Sequence, residues 1–209
     1  MPILKQGESR MTRPRASLVS VADRPYYHCS GRCVRHAFLR GDDPLTGRTF
    51  DHRKTWIVER LKLLAEVFAI DLCAYAVMSN HYPLVVRLDP DRMQNWTDLD
   101  VAERWTRLFS GPDCVPRYLK SESLNDAEQP LLAGLSPKWR SRLADLSWFM
   151  RCLNETIARH ANLEDPCTGH FWEGRFTRAG MTPPLTNSAG ARSPEAASPS
   201  MMAPVRGSL

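Results

Sequence analysis

Between residues 57 and 88 the spacing of apolar side chains changes from helical to alternating, and this change limits the fold more than any other feature of the chain. Ile57, Leu61, Leu64, Ala65 and Phe68 recur at the 3.6-residue period, with Asp51 placed as the N-cap. Leu72 to Met78 and His81 to Leu88 then read as two strands turning tightly at Ser79-Asn80. A helix that feeds a hairpin calls for an α+β fold with antiparallel strands. Their apolar continuity suggests a central sheet position, against which Pro83, with no N–H for a ladder, demotes the second strand to an edge or implies a bulge there.

Other segments extend this pattern. The stretch RPYYHCSGRCVR, residues 24–35, reads as a first strand with a bend at Gly31, and Gly41 to Gly47 as a turn-rich loop. Val101, Trp105, Leu108 and Phe109 mark an amphipathic helix, and residues 111–135 an acidic, irregular insertion. A long helix is expected over Ser136 to Ala161, capped by Ser136 with Pro137 in its first turn. Its apolar stripe runs through Trp139, Leu143, Leu146, Met150, Leu153 and Ile157. After Phe176 the composition turns to Pro, Ser, Ala and Gly without any aromatic residue, so residues 177–209 are expected to be a disordered low-complexity tail. The expected organisation is a basic N-terminal arm over 1–24, a domain over 25–176, and that tail.

Charge narrows the partners. Of the formal net +5, an excess is concentrated at the N-terminal end, where residues 1–40 carry eight Lys or Arg against Glu8 and Asp23. A basic arm beside a folded domain is suited to tracking phosphates. No apolar run approaches the roughly 20 residues of a membrane-spanning helix. With no secretory h-region either, a soluble cytoplasmic protein with no membrane partner is expected. The six cysteines form no C-x-x-C pair, so reduced thiols are expected. His28, Cys29, Cys33 and His36 lack the second ligand pair of a zinc site and read as ordinary residues.

Two motifs carry a resemblance. Residues 76–87, AVMSNHYPLVVR, resemble the segment MSNHYHLVVR of the REP-associated tyrosine transposases, a branch of the single-tyrosine HUH transposases. Residues 149–154, FMRCLN, followed by Gly169-His170-Phe171-Trp172-Glu173-Gly174-Arg175-Phe176, resemble that family's helix and its GHLWQGRF segment. The resemblance covers about residues 11–176, with the motifs in order. It implies a ferredoxin-like antiparallel sheet with packed helices, and cleavage of single-stranded DNA beside palindromic hairpins in DNA transposition. In the family two strand histidines hold Mg²⁺ or Mn²⁺ against the scissile phosphate, and a tyrosine on a later helix attacks phosphorus.

This chain departs from the pattern twice. His81 matches the first histidine, but the second position is Pro83, which has no donor atom. His81 is therefore expected to be a vestigial ligand, with Mg or Mn not bound. The family's tyrosine lies past GRF in a helix resembling YIxLNPVRA, and no tyrosine follows Tyr118 here. The resemblance thus implies an incomplete domain, its C-terminal part missing, with no catalytic residue. Tyr82 falls on the opposite strand face from His81, and Tyr26, Tyr27, Tyr75 and Tyr118 read as core or surface aromatics. His28, His36, His52 and His160 read as ordinary histidines, and His170 as part of a turn.

What the sequence leaves is a surface for DNA. Trp172 and Arg175, with Arg151 on the preceding helix and Arg13 and Arg15 on the arm, are the expected DNA-binding residues, supplying a stacking face and phosphate contacts. Phe171 and Trp172 read equally well as closing the core. The expected function is a DNA-binding, transposase-like protein impaired in catalysis, with single-stranded or hairpin DNA as partner and a homodimer as one assembly. The alternatives are a non-catalytic hairpin-DNA binding module and the product of a decayed open reading frame.

Overall fold

The computed structural model describes residues 25–34 and 37–181. The expected arm, with Arg13 and Arg15, and residues 182–209 of the expected tail lie outside them. Four strands, β1 (Tyr26–Arg32), β2 (Ile70–Tyr75), β3 (His81–Leu88) and β4 (Thr177–Met181), form one open antiparallel sheet in the order β2-β3-β1-β4. Helices α1 (His52–Val67) and α6 (Leu146–Glu164) cover one face of it. Between β3 and α6 the chain inserts α2 (Pro90–Gln94), α3 (Asp98–Thr106), α4 (Val115–Leu119) and α5 (Glu128–Leu143). The fold is thus mixed α+β with an antiparallel sheet. Among the described residues no helix is long and apolar enough to cross a membrane.

Alternation builds the core. On β3 the even-numbered residues Tyr82, Leu84, Val86 and Leu88 are buried, and on β1 so are Tyr27 and Cys29. They meet Ile57, Leu61 and Leu64 of α1 and Phe149, Met150, Leu153 and Ile157 of α6 in one apolar cluster. Gly31 of β1 sits over the Tyr82 ring. A Cβ there would lie 2.6 Å from the phenol oxygen, so this glycine serves close approach within a regular strand and makes no bend.

Pro83 corrects an expectation, because β3 is an inner strand. The Ala76 N–H donates to the Pro83 carbonyl at 3.0 Å, so the missing N–H also faces the β2 side. One rung is lost there, past the end of β2 and next to the turn, where Met78 still donates to His81 at 2.9 Å. The pairing with β1 is left whole, since Pro83 stands opposite Ser30 in an unbroken register.

The helices differ from expectation in two places. The apolar stripe after residue 136 belongs to two helices that break at Ala144 and Asp145. Asp145 is extended and its carboxylate accepts from the Trp148 N–H, an N-cap that starts α6 anew. Ser136 and Pro137 lie inside α5, where the buried Ser136 hydroxyl bonds to the Asp98 carboxylate instead of capping. Within 111–135 the chain forms α4 and the first turns of α5. Asp51 stands before α1 but makes no side-chain cap; its carboxylate accepts from the Gly41 N–H of the preceding loop.

The largest correction is at the C-terminal end. Residues 177–181, assigned to a disordered tail, form β4 and pair with β1 from Ser30↔Thr177 to Tyr26↔Met181. Backbone pairing does not need apolar side chains, which is why composition concealed this strand.

Candidate functional site

The face of the sheet away from α1 and α6 carries the odd-numbered residues of β3. His81, Pro83, Val85 and Arg87 are half-buried there, and strand pairing sets Arg32 beside His81 and Ser30 beside Pro83. From β4, Thr177 joins Ser30 on the same row. His81 and Pro83 share a face, as residues two apart on a strand must.

The segment following α6 closes over one end of this row. Phe171 and Phe176 are buried, the Phe171 carbonyl accepts from Val34, and the Glu173 N–H donates to Arg32 at 2.9 Å. These anchors leave Glu173, Gly174 and Arg175 exposed at the rim. Together with Ser30, Arg32, His81 and Thr177 they line an open cleft of ≈ 370 Å³. The His81 Nδ1 lies 2.9 Å from the Asn80 Oδ1, a hydrogen bond that holds the ring in place at the end of the row. Arg32 is loosely paired with Glu173 at 3.5 Å, both side chains 64% exposed, a geometry that contributes little to stability. No hydrogen bond or ion pair among the described residues engages Arg175. The cleft therefore carries a positive excess and free donors.

Tyr82, next to His81, points into the core. Its hydroxyl donates to the Asn154 side chain of α6, and burial pushes its ionisation well above the usual phenol range. It cannot supply a phenolate to the cleft. Of the five tyrosines, Tyr26 alone stands on the open face, four residues along β1 from Ser30 and so about 13 Å away. Tyr75 pairs with Leu84 on the helix side, Tyr27 is buried, and Tyr118 packs against the core from α4.

The donors at hand do not fit a divalent-ion site of the two-histidine kind. Pro83 offers no ligand, and the one carboxylate in the cleft, Glu173, faces a guanidinium. Nor do the cysteines near β1 offer thiolates. Burial pushes Cys29 up to about 12 and Cys33 up to about 11, and the Cys33 thiol donates to the Ala37 and Asn80 carbonyls.

Of the expected DNA-binding residues, Arg175 lies in the cleft with His81, while Trp172 and Arg151 do not line it. The Trp172 Nε1 donates to the Asn154 carbonyl at 2.8 Å and its ring packs edge-on against Tyr82, 5.5 Å between centroids. This half-buried indole closes the core, the second of the two roles its sequence context allowed. Arg151 is exposed on α6, over the Trp148 ring and beside Glu155. Arg159 pairs with the same Glu155. His52 bonds to Glu164, His160 packs on Trp56, and His28 and His170 are exposed.

Sequence reading missed Ser30, Arg32, Glu173 and Thr177. Alternation from His81 was a usable signal only once the β1 register was known, and that register is a long-range property. It also missed Arg53, fully buried on α1, which donates to Glu164 and Asp165 of the α6 end and to the Phe38 carbonyl. This arginine pins the loop before α1 to the end of α6. Comparison of the chain with protein-family models, with curated proteins and with solved structures finds no match.

Proposed function

We propose that this chain is a DNA-binding, transposase-like protein, related to the REP-associated tyrosine transposases, that binds single-stranded or hairpin DNA and has lost strand cleavage. The observation carrying this reading is the meeting of two motifs far apart in the sequence. His81 of the hairpin and Arg175 of the GHFWEGRF segment line the same cleft. The chain path β1-α1-β2-β3-α6-β4, with strand order β2-β3-β1-β4, is compatible with a ferredoxin-like sheet bearing a helical insertion after β3. Loss of cleavage follows from the residues themselves. Attack on phosphorus needs a tyrosine in line with the scissile bond, and none of the five lines the cleft.

The experiment is binding of a DNA hairpin with a single-stranded flank across a salt series, followed by a denaturing gel after incubation with Mn²⁺. The expected outcome is affinity in the micromolar range or weaker that falls steeply with salt, with no covalent adduct. A flat salt response would sink the DNA-binding reading. An adduct would overturn the loss of cleavage, and Tyr26→Phe would then show whether the open-face tyrosine is the nucleophile.

A further inference from the structure

We propose that the cleft holds a backbone phosphate of single-stranded DNA directly, through Arg32 and Arg175, where a two-histidine site would place a divalent cation. The inference rests on the DNA-binding reading for the identity of its ligand, and differs from that family's chemistry in how the phosphate is held. Arg32 comes from β1 and Arg175 from the segment after α6, yet both line one cleft. Each guanidinium presents a planar fork of donors that matches two phosphate oxygens. The hydroxyls of Ser30 and Thr177 lie on the same wall and can donate to the remaining oxygens.

The sign of the charge decides between cation and anion. Two guanidinium groups against the single carboxylate of Glu173 repel a divalent cation and attract a phosphate. Pro83, which has no donor atom for a cation beside His81, acts in the same direction. Glu173 then works against the ligand by holding Arg32, so its removal strengthens phosphate binding. If Glu173 and His81 instead held a metal that bridged to the phosphate, its removal would weaken binding.

The test uses the full chain and a fluorescent oligothymidylate, with anisotropy read in EDTA and in Mn²⁺. Binding is expected to be the same in both. Arg32→Gln and Arg175→Gln should each weaken it by about tenfold and lower the slope of log affinity against log salt by about 0.7. Glu173→Gln should strengthen it severalfold. Lys62→Gln, which removes the same charge from the exposed side of α1, should change it far less. Equal losses for Lys62→Gln and Arg175→Gln, a requirement for Mn²⁺, or weaker binding by Glu173→Gln would overturn the proposal while leaving DNA binding intact. A separate readout is the His81 ring resonances on adding inorganic phosphate at constant pH and ionic strength. A shift there without oligothymidylate binding would keep the anion cleft and remove DNA as its ligand; no shift together with no binding would remove both.

Discussion

Tyr82 and Pro83 are neighbours in sequence and belong to opposite sides of the sheet. Tyr82 faces inward, is fully buried, and is held by Asn154, Trp172 and Gly31. Pro83 faces outward beside Ser30, on the half-exposed row that leads to the cleft. The inner face is constrained by packing at native density, so its residues are fixed by volume and by buried hydroxyls such as that of Tyr82, which needs a partner. The outer face has no helices upon it among the described residues. A side chain changed on this half-buried row is therefore expected to disturb the core less than one changed on the inner face.

Two substitutions and one truncation test that contrast. The largest effect is expected on the inner face: Tyr82→Ala removes a buried ring and leaves Asn154 without its partner, and should destabilise the protein by about 3–5 kcal/mol in chemical denaturation. A smaller loss would mean that α6 can collapse onto β3, and that the two faces are less unequal than their packing indicates. Next comes the edge of the sheet. A chain stopped after Phe176 loses β4 and uncovers β1, and should be less stable than one stopped after Met181 by roughly 1–3 kcal/mol, the range of a few net backbone hydrogen bonds. Equal melting of the two would return residues 177–181 to the tail.

The smallest effect is expected from Pro83→His on the outer face. It restores an N–H opposite Ala76, and stability should rise by about 1 kcal/mol. It also places two imidazoles on one strand face, so Mn²⁺ binding by calorimetry should become measurable, with none expected of the parent. Loss of stability as large as that of Tyr82→Ala would show Pro83 to be packed as tightly as the core. Gain of Mn²⁺ binding with oligothymidylate binding that weakens from EDTA to Mn²⁺ would sharpen the contrast further, by setting cation and phosphate in competition for one cleft.

How much of this was legible in the sequence depended on how local each feature is. Helix α1, the hairpin at Ser79-Asn80 and the opposed faces of Tyr82 and His81 follow from side-chain period, which a short segment determines by itself. The motif around Arg175 was legible as well, because its residue types stand in order along the chain. Strand order was not. Pro83 read as an edge residue since sequence gives the missing N–H but not the side it faces, and only pairing with both β1 and β2 places that gap at the hairpin end. β4 was hidden for a related reason: its pairing to β1 uses main-chain groups that every non-proline residue carries, so its five residues, with no aromatic, Val, Ile or Leu among them, looked like the start of a tail. The break before α6 turned on Asp145 accepting from Trp148 in preference to continuing a helix, a choice between two local options that packing decides. Arg32 and Ser30 became site residues only through the register of β1 against β3, and Arg53 became a core residue only when the α6 end brought Glu164 and Asp165 to it. Period and residue type are properties of the chain taken a few residues at a time, whereas register, strand order and the partner of a buried charge depend on contacts between segments that the sequence keeps far apart.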